Sequence, residues 1–342
     1  MGVAKIMKSF KLKNVDGARS DLAEGEAQCG QPEGLTLRDR AQNFRQMPNF
    51  IVIGAGKAGT SSIFYYLEQH PQIYMSSLKE PKFFALEGEP LNFQGPDKDI
   101  VNNTSVNNLE AYQNLFQGRS EEIAIGEASP IYLYSPKAPA RIKQYLPEVK
   151  LIAILRNPVE RAFSSFTHLL REGYETLSFE EALQEEEARI QKKWAPLWHY
   201  KQKGYYYEQL KRYYDIFARE QIKVYLYEDL KNDSIELIQN IYSFVGVNNT
   251  FVPDLSKKNV SGTPKSRLIH DLFTKDNYLK SALKPLFPKQ LRRNIADTAI
   301  NQNLGSKPVL APETRDRLSQ LYREDILQLQ DLIERDLSAW LR

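Results

Sequence analysis

The segment 50-FIVIGAGKAGTSSI-63 decides the fold of this chain. Its first five residues are apolar, as in a buried strand, and the residues after them combine glycines, a lysine and three successive hydroxyl side chains. This order predicts a strand that leads through a tight loop into a helix whose first N–H groups can hold an anion. In the nucleoside-triphosphate loop, lysine directly precedes Ser or Thr, whereas Ala58 and Gly59 here separate Lys57 from Thr60. The loop therefore predicts a phosphate-like ligand of another kind.

The pattern around this segment predicts an α/β protein. Apolar runs typical of buried parallel strands lie at 50–54, 72–75, 122–126, 149–155 and 222–227. Helical patterns alternate with them at 61–69, 136–146, 158–171, 179–191 and 204–218, and an amphipathic helix at 312–337 closes the chain. We expect a P-loop-like three-layer fold with a central parallel sheet of about five strands flanked by helices. Ligands of such sheets bind beyond the carboxyl ends of the strands, and the residues that follow the predicted ends are Lys57, Glu80, Glu127, Arg156 and Glu228.

Composition narrows the class of protein. The 342 residues suit one domain at 48–342 behind a polar, flexible N-terminal arm at 1–47. A net charge of +3 with no basic stripe argues against nucleic-acid binding, and one cysteine with four histidines argues against a structural metal site. Without a secretory signal or a long apolar run, the chain is expected to be cytoplasmic and to have no membrane contact. The oligomeric state stays open.

A second motif, 151-LIAILRNPVERAFSSFTHLLREG-173, supplies another anion-binding element. Arg156 ends a predicted strand, Pro158 suits the first turn of a helix, and Ser164 follows eight residues after the arginine. The arginine can hold a phosphate bidentately, and the serine can reach the same anion from the helix. Together with the first loop, this motif predicts a nucleotide that carries two separated anionic groups.

Both motifs resemble those of sulfotransferases that use 3′-phosphoadenosine 5′-phosphosulfate (PAPS), of the bacterial sulfotransferase-domain type. GAGKAGTSS is similar to their 5′-phosphosulfate loop and RNPVERAFS to their 3′-phosphate element. The segments VYLYEDL (224–230) and KKNVSG (257–262) are also similar, so that the resemblance covers residues 49–267. It implies transfer of a sulfuryl group from PAPS to a hydroxyl or amine of a small-molecule acceptor, such as a secondary metabolite. The transfer would be an in-line displacement that leaves 3′-phosphoadenosine 5′-phosphate (PAP) and needs no metal.

The resemblance also implies roles for individual residues. Lys57 would stabilise charge on the bridging oxygen as the S–O bond breaks. The residues expected to bind the nucleotide are Lys57, Ala58, Gly59, Thr60, Ser61 and Ser62 at the 5′ end, Arg156, Ser164, Lys257, Lys258 and Gly262 at the 3′-phosphate, and Tyr227 at the adenine.

Two residues compete for the role of the base that takes the acceptor's proton. Glu80, in LKEPKFFAL (78–86), matches a family element whose glutamate serves as base. His168 lies one helical turn beyond Ser164, so both would share a helix face near the nucleotide. We expect Glu80 to be the base, with His168 as the rival.

The acceptor pocket is less defined. In GEASPIYLYSP (126–136), Ala128 replaces a lysine that heparan-type members of the family carry, which argues against heparan-like acceptors. Glu127, Tyr132 and Tyr206 are the candidate acceptor-binding residues.

Other functions compete with this one. A P-loop kinase or NTPase would need lysine directly before Ser or Thr and a strand-terminal aspartate for magnesium, and the sequence has neither. The remaining alternatives are a sulfotransferase acting on a saccharide or a carrier-bound acyl chain, and a binding module without chemistry.

Overall fold

The computed structural model describes residues 47–256 and 308–342, together with the backbone of residues 263–264 and 304–305. Its strands are β1 Phe50–Gly54, β2 Ile73–Met75, β3 Ala124–Ala128, β4 Lys150–Leu155, β5 Ile222–Leu226, β6 Thr263–Pro264 and β7 Leu304–Gly305. Its α-helices are α1 Thr60–Leu67, α2 Phe83–Leu86, α3 Lys98–Asn103, α4 Leu109–Asn114, α5 Ile131–Tyr134, α6 Ala138–Tyr145, α7 Pro158–Arg171, α8 Phe179–Gln184, α9 Glu186–Gln191, α10 Tyr206–Tyr214, α11 Tyr227–Asn232, α12 Ser234–Val245 and α13 Pro312–Ile333. Short 3-10 turns are Pro196–Trp198, Gln202–Gly204, Arg219–Gln221 and Ser338–Leu341.

Five parallel strands form the central sheet in the order β2-β3-β1-β4-β5. Helices cover both faces, so β1 and β3 are buried along their whole length and read as continuous apolar runs. The predicted α/β fold with about five parallel strands is confirmed. Because β3 and β4 flank β1, the segments after these three strands meet at one end of the sheet.

The third strand differs from its predicted bounds. It was expected at 122–126, which would place Glu127 beyond its end, but β3 runs from Ala124 to Ala128 and Glu127 pairs with Ile51 inside the sheet. A buried strand tolerates this carboxylate because neighbouring hydroxyl groups hydrogen-bond to it. Glu228 also does not simply follow a strand, since β5 ends at Leu226 and Glu228 lies in α11.

Some helices differ from their predicted bounds as well. The pattern at 179–191 forms two helices, α8 and α9, and the pattern at 204–218 begins as a 3-10 turn and shortens to α10. The last helix ends at Ile333 rather than at 337, because Glu334 takes a left-handed conformation (φ 55°) that turns the chain and lets Trp340 pack into the core.

The predicted N-terminal arm, residues 1–47, lies outside the described residues except for Met47, which belongs to the buried core. Across residues 47–256 and 308–342, no helix combines the length and the apolar character that a membrane span requires.

Candidate active site

The loop between β1 and α1 is built to expose backbone N–H groups. Gly59 has a φ of 97°, a left-handed conformation that glycine adopts without strain, and it turns the chain into α1. The first intrahelical bond runs from the Ser62 N–H to the Gly59 carbonyl (2.9 Å), so the N–H groups of Thr60 and Ser61 precede the helical ladder. Their orientation at a helix N-terminus suits an anionic oxygen.

Lys57 lies in the same loop with a positive φ of 72°, which is unusual for a residue with a side chain. Burial and the charge of Arg171 lower the pKa of Lys57 to about 8, although Glu80 and Glu172 act in the opposite direction. The ammonium therefore lies within electrostatic range of both acidic and basic groups. A strained backbone and a desolvated cation are features of functional loops.

Arg156, at the end of β4, contacts this loop directly. Its Nη1 donates to the Lys57 carbonyl (3.2 Å), its Nη2 lies 3.6 Å from Glu160, and its guanidinium stacks 4.7 Å from the centre of the Tyr227 ring. Tyr227 also faces Gly59, where an added Cβ would lie 3.4 Å from the ring. The structure therefore brings Arg156 and Tyr227 together beside the predicted 5′-phosphosulfate loop.

Helix α7 begins as its sequence predicts. The Asn157 side chain accepts hydrogen bonds from the N–H groups of Val159 and Glu160, and Pro158 occupies the first turn. The helix carries Ser164 and His168, both half-buried, one turn apart.

His168 is a neutral ring with one nitrogen already engaged. Burial and the charges of Lys57 and Arg171 lower the pKa of His168 well below its ordinary value. Arg171 Nη2 lies 2.9 Å from His168 Nδ1. A guanidinium only donates, so Nδ1 accepts this bond and the ring proton lies on Nε2. In this tautomer neither nitrogen is free to take a proton from an acceptor.

Glu80 is a carboxylate whose charge acts on Lys57 of the loop. Its backbone N–H donates to the Ala128 carbonyl (3.1 Å), and its φ of 62° lies in the left-handed region. Lys79 donates to Oε1 (2.5 Å), while 38% of the side chain stays exposed. Burial raises the pKa of Glu80, but the charges of Lys79, Lys82 and Lys203 outweigh it and hold that pKa below its ordinary value. Glu80 is therefore ionised at neutral pH.

A second carboxylate, Glu127, has the opposite surroundings. It is fully buried and accepts hydrogen bonds from Tyr132 (2.6 Å), Ser129 (2.7 Å) and Tyr112 (2.9 Å). We call these four residues the Glu127 cluster. Burial raises the pKa of Glu127 to about 7, against the effect of the three hydroxyl donors. Glu127 and Tyr132 are packed inside the protein here, and acceptor contact by either residue stays a prediction.

Tyr206 is also fully buried, and its contacts connect the C-terminal helix to the site. Its hydroxyl donates to the Arg156 carbonyl (3.0 Å), while its backbone N–H donates to Asp325 of α13 (2.8 Å). The tyrosine thus fixes the backbone that carries Arg156. Its predicted contact with the acceptor also stays a prediction.

Sequence reasoning missed two buried cations near the loop, Lys203 and Arg161. Arg161 occupies a buried position of α7 between Val159 and Ala162. The sequence could have indicated it as an unusual residue, because it places a charge on the apolar face of the predicted helix. Lys203 has no such local signal, because the sequence alone does not distinguish it from Lys201 in the same turn.

Three residues predicted to bind the 3′-phosphate, Lys257, Lys258 and Gly262, lie outside the described residues. Within the described part of the chain, no group of three or more His, Cys, Asp and Glu side chains forms a potential metal site. Transfer without a metal remains a prediction.

A five-stranded parallel sheet with a glycine-containing loop after β1 and an arginine after the adjacent β4 defines an α/β protein of P-loop-like type. The sequence profile of the Sulfotransferase family matches residues 48–251, and the chain belongs to this family. The resemblance inferred from the two motifs is confirmed.

Individual relatives agree with this assignment. The crystal structure of a sulfotransferase from Alicyclobacillus acidocaldarius is similar with a TM-score of 0.69 and 36% identity, over 86% of this chain and 99% of that one. The membrane-associated sulfotransferase kil1 of Dictyostelium discoideum is 37% identical over 35% of this chain and 22% of its own length. The mouse bifunctional heparan sulfate N-deacetylase/N-sulfotransferase 4 is 26% identical over 92% of this chain and 33% of its own length. The chain thus spans a third or less of these two curated relatives.

Proposed function

We propose that this protein transfers a sulfuryl group from PAPS to a hydroxyl or amine of a small-molecule acceptor by in-line displacement, leaving PAP. The observation that carries the proposal is the shared position of three groups. Lys57, with its desolvated ammonium, precedes α1, the ionised Glu80 lies within electrostatic range of it, and the strand-end Arg156 donates to its carbonyl. Family membership adds independent support.

The residues present fit such a nucleotide. The N–H groups of Thr60 and Ser61 lie ahead of the helical ladder, and positive charge comes from Lys57 in the loop and from Arg156, which donates to the Lys57 carbonyl. Tyr227 offers an aromatic ring beside both elements. The bound donor would supply an activated sulfuryl group.

The chain's own groups then have separate tasks. The acceptor oxygen or nitrogen forms the new bond to sulfur, and the bond from sulfur to the bridging phosphate oxygen breaks. Lys57 stabilises the negative charge left on that oxygen. Glu80 Oε2 has no hydrogen bond within the described residues, so it is available for the acceptor's proton. Because the pKa of Glu80 is low, we expect proton transfer to accompany S–O bond formation, when the acceptor becomes more acidic.

The geometry favours Glu80 over His168 as the base. Glu80 is ionised and partly exposed, whereas His168 Nδ1 already accepts a bond from Arg171 and Nε2 carries the proton. His168 suits a donor role toward an anionic oxygen better than a basic role.

The nature of the acceptor is part of the proposal. In the sequence, Ala128 in place of a lysine argued against a polyanionic saccharide as acceptor. The positive charges of Lys79, Lys82 and Lys203 act on Glu80 and weaken that argument, because they could also attract a polyanion. The names of several relatives refer to heparan sulfate, and those names describe those proteins. We propose a small hydroxylated or amino metabolite as the acceptor. Saccharides and carrier-bound acyl chains are the alternative acceptors, and the screen described below includes them.

Nucleotide binding tests the donor. We expect PAP without metal to raise the melting temperature of the protein, and Mg-ATP to leave it unchanged. Stabilisation by Mg-ATP alone would instead favour a P-loop kinase or NTPase. Acceptors are then identified by incubating small metabolites, saccharides and acyl-carrier substrates with labelled PAPS and measuring the mass increase of each product.

Lys57→Ala tests the chemistry. With the acceptor identified by that screen, we expect kcat to fall by at least about 100-fold, because the donor to the leaving oxygen is lost. The variant should keep the unfolding cooperativity of the wild type. A folded variant with near wild-type turnover would remove Lys57 from the mechanism.

A further inference from the structure

Two buried cations behind the loop have no task in the mechanism above. Lys203 lies in the 3-10 turn Gln202–Gly204 and is only 7% exposed, and Arg161, on α7, is fully buried. Buried cations are expensive unless an anion or several hydrogen bonds compensate them, so their surroundings should reveal a partner.

Lys203 points at the loop itself. Its Nζ lies 3.1 Å from the position that a Cβ on Gly56 would occupy, and the Pro130 side chain lies 3.8 Å from the same position. Gly56 directly precedes Lys57, and Lys203 also interacts electrostatically with Lys57 and Glu80. The ammonium therefore lies beside the predicted donor loop and within electrostatic range of the predicted base. A side chain on Gly56 would occupy this space, so the glycine leaves the approach open.

Arg161 lies within electrostatic range of Lys203, and its hydrogen-bond donors are incompletely satisfied. Its Nη2 donates to the Tyr200 carbonyl, but Nε and Nη1 are buried and have no hydrogen-bond partner among the described residues. Within residues 47–256 and 308–342, neither Arg161 nor Lys203 has an ion-pair partner within 4.0 Å. Burial and the charge of Arg161 lower the pKa of Lys203 to about 7, although the charge of Glu80 acts in the opposite direction.

We propose that Lys203, backed by the charge of Arg161, binds the non-bridging oxygens of the donor's sulfuryl group against Gly56. This inference rests on the proposed sulfotransferase function and deepens it. The sulfuryl group is favoured over the nucleotide phosphates, because Lys203 lies within electrostatic range of Glu80, the predicted base, whereas Arg156 contacts Tyr227, the residue predicted to lie at the adenine.

This arrangement has a functional consequence. An anion between Lys57 and Lys203 would compensate both cations, so the sulfuryl group itself would contribute to donor affinity. After transfer the sulfuryl group leaves with the acceptor, and Lys203 loses its contact while Lys57 and Arg156 keep theirs to PAP. The enzyme would thus hold PAPS more tightly than PAP and release the product more readily.

The test compares two nucleotides that differ only in the sulfuryl group. Calorimetry without an acceptor gives Kd for PAPS and for PAP with the wild type, Lys203→Met and a matched control, Lys201→Met, from the same turn. We expect Lys203→Met to weaken PAPS binding at least tenfold and to change PAP binding less than twofold. Lys201→Met should change neither. If Lys203→Met does not fold, Lys203→Gln, which keeps a polar end on a shorter stem, replaces it.

The outcomes separate the inference from the function on which it rests. Equal weakening of PAPS and PAP would assign Lys203 a general role in holding the loop and would overturn the inference, as would no change in either. Both results leave the donor assignment intact, because the wild type binds the nucleotides. A wild-type protein that binds neither nucleotide would overturn the proposed function and the inference with it.

Discussion

Glu80 and Glu127 lie close together in the fold, and their surroundings differ in almost every respect. Glu80 follows β2, is hydrogen-bonded to an ammonium and stays partly exposed. Glu127 lies inside β3, and its side-chain hydrogen-bond partners among the described residues are all hydroxyl groups. Nearby lysines hold the pKa of Glu80 below its ordinary value, although burial acts against them, while burial raises the pKa of Glu127 to about 7. The same side chain is suited to chemistry in one place and to internal packing in the other, and the difference comes from neighbouring charge and access to solvent.

The strongest test of this contrast replaces each carboxylate by its amide. We expect Glu80→Gln to lower kcat by about 10²- to 10⁴-fold, as loss of a general base does, and to leave PAP affinity unchanged. Glu127→Gln is the matched control and should keep most of the turnover. Comparable losses of kcat in both variants would mean that the buried carboxylate also takes part in the reaction.

A somewhat smaller effect is expected at Arg156, a charged residue of the same predicted site as Glu80. Arg156→Ala should weaken donor binding by about 2–4 kcal/mol, because a charge-assisted bidentate contact to the 3′-phosphate is lost. Adenosine 5′-phosphosulfate, which lacks that phosphate, should bind the wild type and the variant about equally. Weaker binding of this analogue to the variant would show that the bond from Arg156 to the Lys57 carbonyl, rather than a phosphate contact, is the main role of the arginine.

The stability of the Glu127 cluster should depend on pH. A raised pKa means that the folded protein holds this proton more tightly than the unfolded chain does. The wild type should therefore lose stability as the pH rises from about 4.5 towards 7, and Glu127→Gln, which does not titrate, should be spared this loss. Urea denaturation at pH 5 and at pH 8 measures the free energy of unfolding of both proteins. The difference, variant minus wild type, should be larger at pH 8 than at pH 5 by about 1–3 kcal/mol. A difference that does not change with pH would mean that Glu127 keeps its ordinary pKa.

The smallest effect is expected at His168. If Glu80 is the base, His168→Ala should change kcat less than about threefold and leave the pH profile of kcat in place, since its ring is neutral and Nδ1 accepts a bond from Arg171. A large loss of kcat in this variant, with activity retained in Glu80→Gln, would exchange the roles of the two residues.

Much of the fold and of the donor side could be predicted because the signals are contiguous. The strand, glycine loop and hydroxyl residues around Lys57 lie within 14 residues, and the bounds of α7 follow from the Asn-Pro start that the structure retains. The bounds of β3 could not be predicted, because what permits Glu127 inside the strand is a tyrosine from α4, 15 residues away, as well as nearby Ser129 and Tyr132.

The sequence by itself determined the family, the alternating architecture and the positions of Lys57, Glu80 and Arg156, since each depends on short-range order along the chain. Only the tertiary structure decided which carboxylate is exposed, which nitrogen of His168 accepts a hydrogen bond, and that Lys203 approaches Gly56 from 147 residues away. Burial and Coulomb interactions depend on distance in space, and a local pattern of residues does not record that distance.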